Sequence, residues 1–231
     1  MSVSPIATMF DRISPKYDAL NHLLSLNIDK AWRRKTAKIV SQNQPKAILD
    51  LATGTADLAI ALAKRNPQAR IIGMDFSEKM LEIGQEKVKQ QKLENQIVLR
   101  IGDAATLPFE DGTFDVVTVA FGVRNFEDLD KGLSEISRVL KPGGQAVILE
   151  FSMPEKFPVK QLYHVYFKCI LPKIGKIVSK DKNAYTYLPS SVERFPMPKV
   201  FLDILDQYGI QQGQMTPMAF GIATVYTAIK A

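Results

Sequence analysis

The stretch from 47 to 62, AILDLATGTADLAIAL, constrains this chain more than any other. Residues 48–51 read as a short strand, Ala52-Thr53-Gly54-Thr55 as a tight turn, and the sequence from Ala56 as the opening of a helix. Small residues between a strand and a helix let a ligand approach the backbone. The helix then aims its free N–H groups and the positive end of its dipole at that ligand. Asp50 adds a carboxylate at the strand's end. The next strand, RIIGMD at 70–75, finishes on Asp75, an acid placed to accept two ribose hydroxyls. A dinucleotide site wants three glycines as G-x-G-x-x-G, which clear the backbone from a pyrophosphate. Residues 52–58 hold Gly54 alone, with Thr53, Thr55 and Ala56 around it. Two acids and one glycine turn favour a nucleoside without a pyrophosphate. A strand–turn–helix with no ligand at all stays open.

At 231 residues the chain is long enough for one large domain with a sizeable core. A single cysteine, Cys169, excludes an intrachain disulfide framework and a cysteine metal cluster. The two histidines, His22 and His164, leave little for a metal site, and none is expected. The start MSVSPIATMF lacks the charged and apolar regions of a signal peptide, and no run approaches a membrane span, so a soluble, cytoplasmic protein is expected. The net charge of +6 raises nucleic acid as a partner, but the excess is local. Between Lys156 and Lys182 seven lysines face only Asp181, interleaved with Leu162, Tyr166, Phe167, Ile170 and Leu171. That mixture suits a membrane surface better than a phosphate backbone. No nucleic acid is expected.

Residues 5–41 read as helical with breaks at Pro15 and near Asn27. Ser77 caps a long amphipathic helix to about Leu93, and a third strand at 97–102 is followed by Asp103-Ala104. The apolar run 114–121 reads as a parallel strand buried on both faces, with Gly122-Val123-Arg124-Asn125-Phe126 at its carboxyl end. A helix at 129–140 ends in Pro-Gly-Gly and turns into a fifth strand. A last helix at 198–208 and two strands near 211–215 and 222–229 close the chain.

The D-x-A-x-G-T form of the opening loop resembles the first motif of Rossmann-like S-adenosylmethionine (SAM) methyltransferases. Tyr17-Asp18-Ala19-Leu20-Asn21, Ser25 and Trp32 resemble the pattern Y-D-x-x-N-x-x-x-S-x-G-x-H-x-x-W of the menaquinone and ubiquinone C-methyltransferase family. Asn27 stands where that pattern has Gly, and Asp29 where it has His. Asn is the next-best residue for a left-handed turn, so the break survives. Residues 138–152 match the family's R-V-x-K-P-G-G-x-x-x-x-x-E-x-S throughout, ending on Glu150 and Ser152, and 185–191 resembles its Y-x-Y-L-x-x-S.

The resemblance covers nearly the whole chain. It implies an α/β fold, a seven-stranded Rossmann-like sheet of the class I SAM methyltransferases. A helical cap is expected at 1–41, a cofactor core at 46–152, and substrate-side helices and strands at 153–231. It implies C-methylation of a reduced prenylated quinone, demethylmenaquinol before a benzoquinol of ubiquinone biosynthesis. A methyltransferase for another small molecule or RNA, and a lipid-binding module without SAM, remain open. The cofactor residues it implies are Tyr17, Asp50, Gly54, Thr55, Asp75, Asp103, Ala104 and Ala120, the last standing where many relatives carry a serine. Arg124, Asn125, Tyr185 and Tyr187 are the catalytic candidates. A guanidinium pKa above 12 excludes Arg124 as a free base. It is expected to stabilise the quinolate, with water or a carboxylate taking the proton, and a structural ion pair to Glu150 is the competing role. Transient contact with the membrane's inner face is expected, and self-association is left open.

Overall fold

The computed structural model describes residues 5–25, 27–165 and 182–231. Its seven strands are β1 (Ala47–Leu51), β2 (Arg70–Asp75), β3 (Ile97–Ile101), β4 (Phe114–Ala120), β5 (Leu140–Phe151), β6 (Ile210–Met218) and β7 (Ala223–Lys230). They form one sheet in the order β3-β2-β1-β4-β5-β7-β6. β1 to β5 run parallel, and β7 is antiparallel to both β5 and β6. The expected closing strand pair is therefore present. The order reverses between β1 and β4, so their carboxyl ends open a crevice where open α/β sheets bind ligands.

Successive residues of a strand point to opposite faces, and this alternation divides the central strands between two apolar layers. Ile48, Val116, Val147 and Val225 face one layer, where they meet α2 (Ile28–Ser41) and α3 (Asp57–Arg65) through Trp32, Val40, Leu58 and Leu62. Leu49, Val117, Ile148 and Tyr226 face the other, against α5 (Leu129–Val139) and α8 (Pro198–Gln207) through Leu133, Ile136, Phe201 and Leu205. Burial on both faces explains why these strands read as unbroken apolar runs. α4 (Glu78–Gln90) begins where expected, with the Ser77 hydroxyl accepting from Met80 N at 3.2 Å.

Two local findings bear on the crevice. The N-terminal helix α1 (Pro5–Leu24) runs straight through Pro15, contrary to the expected break. Proline has no N–H for the carbonyl of Asp11, one turn back. The Ser14 hydroxyl donates to that carbonyl instead, at 3.0 Å, and the turn stays satisfied. The second break holds: Asn27 is left-handed, with φ 61°, and separates α1 from α2. Among the described residues no helix is long and apolar enough to cross a membrane.

Candidate active site

The loop after β1 is fixed from below. Asp50 is fully buried and accepts the hydroxyls of Thr53 at 2.7 Å and Thr118 at 2.6 Å. Burial pushes its pKa up to about 6 against the pull of those hydroxyls. With both oxygens engaged, Asp50 pins the loop to β4 and lies beneath the crevice. Above it the backbone is left-handed at Ala52, Gly54 and Ala56, with φ of 49°, 55° and 64°. Each such alanine costs about 1–2 kcal/mol relative to the right-handed region, strain of a kind that accumulates at binding sites. A side chain at Gly54 would meet nothing within 4 Å, so the loop presents open backbone to the crevice. Gly122, at the end of β4, answers a different demand: a Cβ there would lie 2.4 Å from that of Ala52.

Asp75 ends β2 beside this loop. Its Oδ2 accepts Gly54 N at 2.8 Å and its Oδ1 accepts Ser77 N at 2.9 Å. Burial raises its pKa to about 6, opposed by backbone N–H groups of Ser77, Gly54 and Phe76. Each carboxylate oxygen keeps a lone pair for a further donor. A held carboxylate beside an open glycine loop fits the ribose of SAM, and the donor set contains nothing a sulfonium would repel.

The crevice wall unites Gly54 and Asp75 with Ala120, Phe121, Gly122 and Asn125 from the end of β4. Tyr17 and Phe10 of α1 roof it, and Phe76 and Met80 complete the side near Asp75. Phe10 meets both Tyr17 and Phe76 edge-on, each at 6.0 Å between centroids. The Tyr17 hydroxyl is raised by burial and pulled down chiefly by Arg33, then by Asn21 and Arg124.

Other candidates stand elsewhere. Thr55 faces away from the crevice: its hydroxyl donates to Asp18 at 2.6 Å and receives Lys87 Nζ at 3.1 Å. Asp103 is exposed beyond β3 and its Oδ1 accepts Ala105 N at 2.9 Å, closing a turn that includes Ala104. The pair adjoins Asp75 through Gly102 N, which donates to the Asp75 carbonyl at 2.9 Å. Arg124, one residue before Asn125 of that wall, is turned to protein partners. Its Nη1 donates to Glu150 Oε1 and to the Phe121 carbonyl, both at 2.6 Å, and its Nε to Ser191 at 3.3 Å. Its charge is matched by a buried carboxylate, the competing role considered above. Asn125 does line the wall, and its Oδ1 accepts the Tyr187 hydroxyl at 2.9 Å. Tyr187 comes from α7 (Lys182–Arg194), and burial raises its pKa. Tyr185 lies on the same helix, with its side chain outside the described residues.

Several contributors escaped sequence reasoning. Lys87 of α4 bridges Asp18 at 3.0 Å and Asp57, tying α1 to the start of α3. The Ser77 hydroxyl donates to Asp11 at 2.5 Å, a second tie from α1 to the rim beside Asp75. Asp18 was visible within the Tyr17-Asp18 motif; Lys87 carried no signal beyond its place on a polar helix face. Asp29, standing where the family pattern has His, accepts from His22 Nδ1 at 2.8 Å, from Ser25 at 2.6 Å and from Arg33.

Comparison with known proteins agrees with this arrangement. A SAM-dependent methyltransferase structure from Thermotoga maritima superposes with a TM-score of 0.68 at 16% identity, covering 97% of this chain and 99% of that one. A putative one from Methanococcus maripaludis gives 0.66 at 23% identity, covering 96% and 93%. These share the fold. By sequence, a demethylmenaquinone methyltransferase of Bacteroides fragilis is 48% identical over 97% of this chain and 92% of its own length. A ubiquinone/menaquinone biosynthesis C-methyltransferase of Geobacter sp. strain M21 is 46% identical over 97% and 96%. The model of the ubiE/COQ5 methyltransferase family matches residues 2–230. With its sheet order, its glycine loop and its strand-end acid in place, this SAM-dependent methyltransferase belongs to the ubiE/COQ5 methyltransferase family.

Proposed function

We propose that the protein methylates a ring carbon of a reduced prenylated quinone, demethylmenaquinol first among them. The observation that carries the reading is the hydrogen bond from Tyr187 to Asn125, which lines the same crevice as Gly54 and Asp75. A paired amide and phenol beside the crevice supports a role in orienting an acceptor's oxygen. The names of the relatives above, demethylmenaquinone and ubiquinone/menaquinone methyltransferases, support the substrate class. A benzoquinol of ubiquinone biosynthesis is the second reading, favoured by the broader of those two names.

The bound cofactor supplies an electrophilic methyl group on a positively charged sulfur. Asp75 would accept the ribose hydroxyls, and the bare backbone of Gly54 would permit close approach. A quinol hydroxyl has a pKa of roughly 10, with tyrosine as the guide. Loss of its proton to water or a carboxylate drives electron density to the ortho carbon, which would form the new C–C bond as the methyl's bond to sulfur breaks and leaves a neutral thioether; the ring proton then leaves to water and aromaticity returns. Asn125 and Tyr187 hold the acceptor oxygen in line. Phe10, Tyr17 and Phe76 keep water from a step in which opposite charges cancel. Arg124 is a positioning residue: its bonds to Phe121 and Glu150 fix the turn that carries Asn125.

The acceptor's tail implies peripheral contact with the inner membrane face, favoured by the basic, apolar stretch that begins at Lys156. Residues 166–181 of that stretch lie outside the described residues. The deciding experiment is purified protein with labelled SAM and a panel of reduced naphthoquinones and benzoquinones, with and without prenyl tails. Label in a prenylated naphthoquinol is the expected result. Label in RNA or an unrelated small molecule, or none at all, would overturn it.

A further inference from the structure

Beside the crevice mouth, the end of β5 and the β6–β7 turn are stitched together. Ser152 N donates to the Ile222 carbonyl at 3.0 Å, and the Ser152 hydroxyl donates to the Gly221 carbonyl at 2.9 Å. Gly221 packs against Pro154, to which a Cβ would come within 3.5 Å. The two segments therefore form one rim. It is continuous with Phe151, which stacks on the crevice wall at Phe121 with 4.5 Å between centroids.

Two aromatic side chains project from this rim into water: Phe157 is 80% exposed and Phe220 83%. Neither is explained by packing. Phe220 also has φ of 60°, following Ala219 at 45°, so the chain holds a bulky residue in a left-handed turn and leaves its ring outside. A bulky residue at positive φ is an outlier that points toward function. The exposed Lys156 and Lys160 flank Phe157, with Glu155 the adjoining acid, and α6 (Val159–Val165) presents Val165 at 54% exposure. Large rings with lysines around them match the boundary between acyl chains and anionic headgroups.

We infer that the rim of Phe157 and Phe220 is a docking surface for an anionic lipid bilayer, seating the crevice mouth where a lipid-tailed acceptor resides. The inference rests on the prenylated-quinol reading for its purpose and on exposure, charge and backbone geometry for its location. The two phenylalanines would enter the headgroup–acyl boundary while Lys156 and Lys160 meet phosphates, in salt-sensitive contact.

The test compares the wild type with the double variant Phe157→Ser, Phe220→Gly in sedimentation with phosphatidylglycerol and phosphatidylcholine vesicles at low and high salt. The wild type is expected to pellet with phosphatidylglycerol at low salt and to release at high salt. The variant should lose at least roughly tenfold in partitioning, because two rings no longer leave water. Its melting temperature should hold or rise, since glycine relieves the turn at 220. Methylation of a tail-less quinol should not change, while the KM for a vesicle-embedded long-tailed quinol should increase. Equal vesicle binding by both proteins, or none by the wild type, overturns the inference. So does a wild-type dimer that the variant converts to monomer, which would make a second copy the occupant. If no quinol of any kind is methylated but vesicle binding still depends on the two phenylalanines, the substrate reading falls and the docking surface stands.

Discussion

Arg124 Nη1 donates to Glu150 Oε1 at 2.6 Å, with the two side chains at 7% and 0% exposure. The pair joins the turn after β4 to the carboxyl end of β5, and Phe151 lies under the guanidinium, 5.3 Å from its carbon to the ring centroid. Burial raises the Glu150 pKa and the Arg124 charge opposes that rise. The arginine's charge is thus engaged at home, which turns attention for acceptor binding to Asn125 and Tyr187.

Glu150→Gln should leave that guanidinium buried without its counter-charge. Breaking such a pair costs about 3–5 kcal/mol, so melting should fall by roughly 10 °C for a chain of this size. Calorimetry checks it, and an unchanged melting temperature would remove the pair from the fold's support.

Arg124→Lys keeps a point charge and loses the planar fork that reaches Glu150, Phe121 and Ser191 together. Both melting temperature and kcat should fall, and the pH–rate profiles of the two proteins should run parallel under anaerobic conditions with saturating SAM. Recovery of the mutant at alkaline pH would instead give Arg124 a direct part in stabilising the quinolate.

Tyr187→Phe removes the donor to Asn125 and should lower kcat by about ten- to a hundredfold, less than the roughly hundred- to thousandfold of a lost oxyanion donor, because Tyr187 acts through Asn125. SAM affinity should stay within about twofold, because the cofactor side is untouched. Single-turnover rates and calorimetric titration separate these outcomes. A uniform loss of both would recast Tyr187 as packing.

Asp75→Asn should weaken SAM binding by at least about tenfold, as charge-assisted bonds to two ribose hydroxyls become neutral ones. The pH dependence follows from burial. Asp75 titrates at about 6, and hydroxyl donors favour its charged form. Wild-type affinity should therefore fall as pH drops through about 6, whereas the variant's should be flat there. Asp50 and Asp75 also bind protons more tightly in the folded chain than in the unfolded one. Their contribution to stability accordingly grows as pH falls from neutrality through about 6 toward 4. Asp50→Asn should remove part of that slope in melting temperature against pH.

Local chemistry made much of this readable. The small-residue turn at 52–55, the strand-end acid at 75 and the serine cap at 77 are each set by neighbours a few residues away, and all three stand where the sequence put them. What escaped depends on distant partners. Thr55 reads as a ligand-facing hydroxyl until Asp18, 37 residues earlier, claims it. For Arg124 the sequence offered both a quinolate partner and an ion pair to Glu150, 26 residues later, and only the fold shows that the pair is made. Pro15 reads as a helix break because propensity does not record that Ser14 replaces its missing donor.

That replacement has a mechanical consequence. An α1 unbroken from Pro5 to Leu24 is a stiff rod set on Asn27, and Asp11 lies on the order of 24 Å up the rod from that point at 1.5 Å per residue. A tilt of about 2–3° at Asn27 already carries Asp11 about 1 Å, enough to part it from Ser77, while Tyr17 moves by roughly 0.6 Å. Had Pro15 hinged the rod, Phe10 and Tyr17 would move independently over the crevice. Joined as they are, the far tie breaks first, and the aromatic roof rises from its Phe10 end.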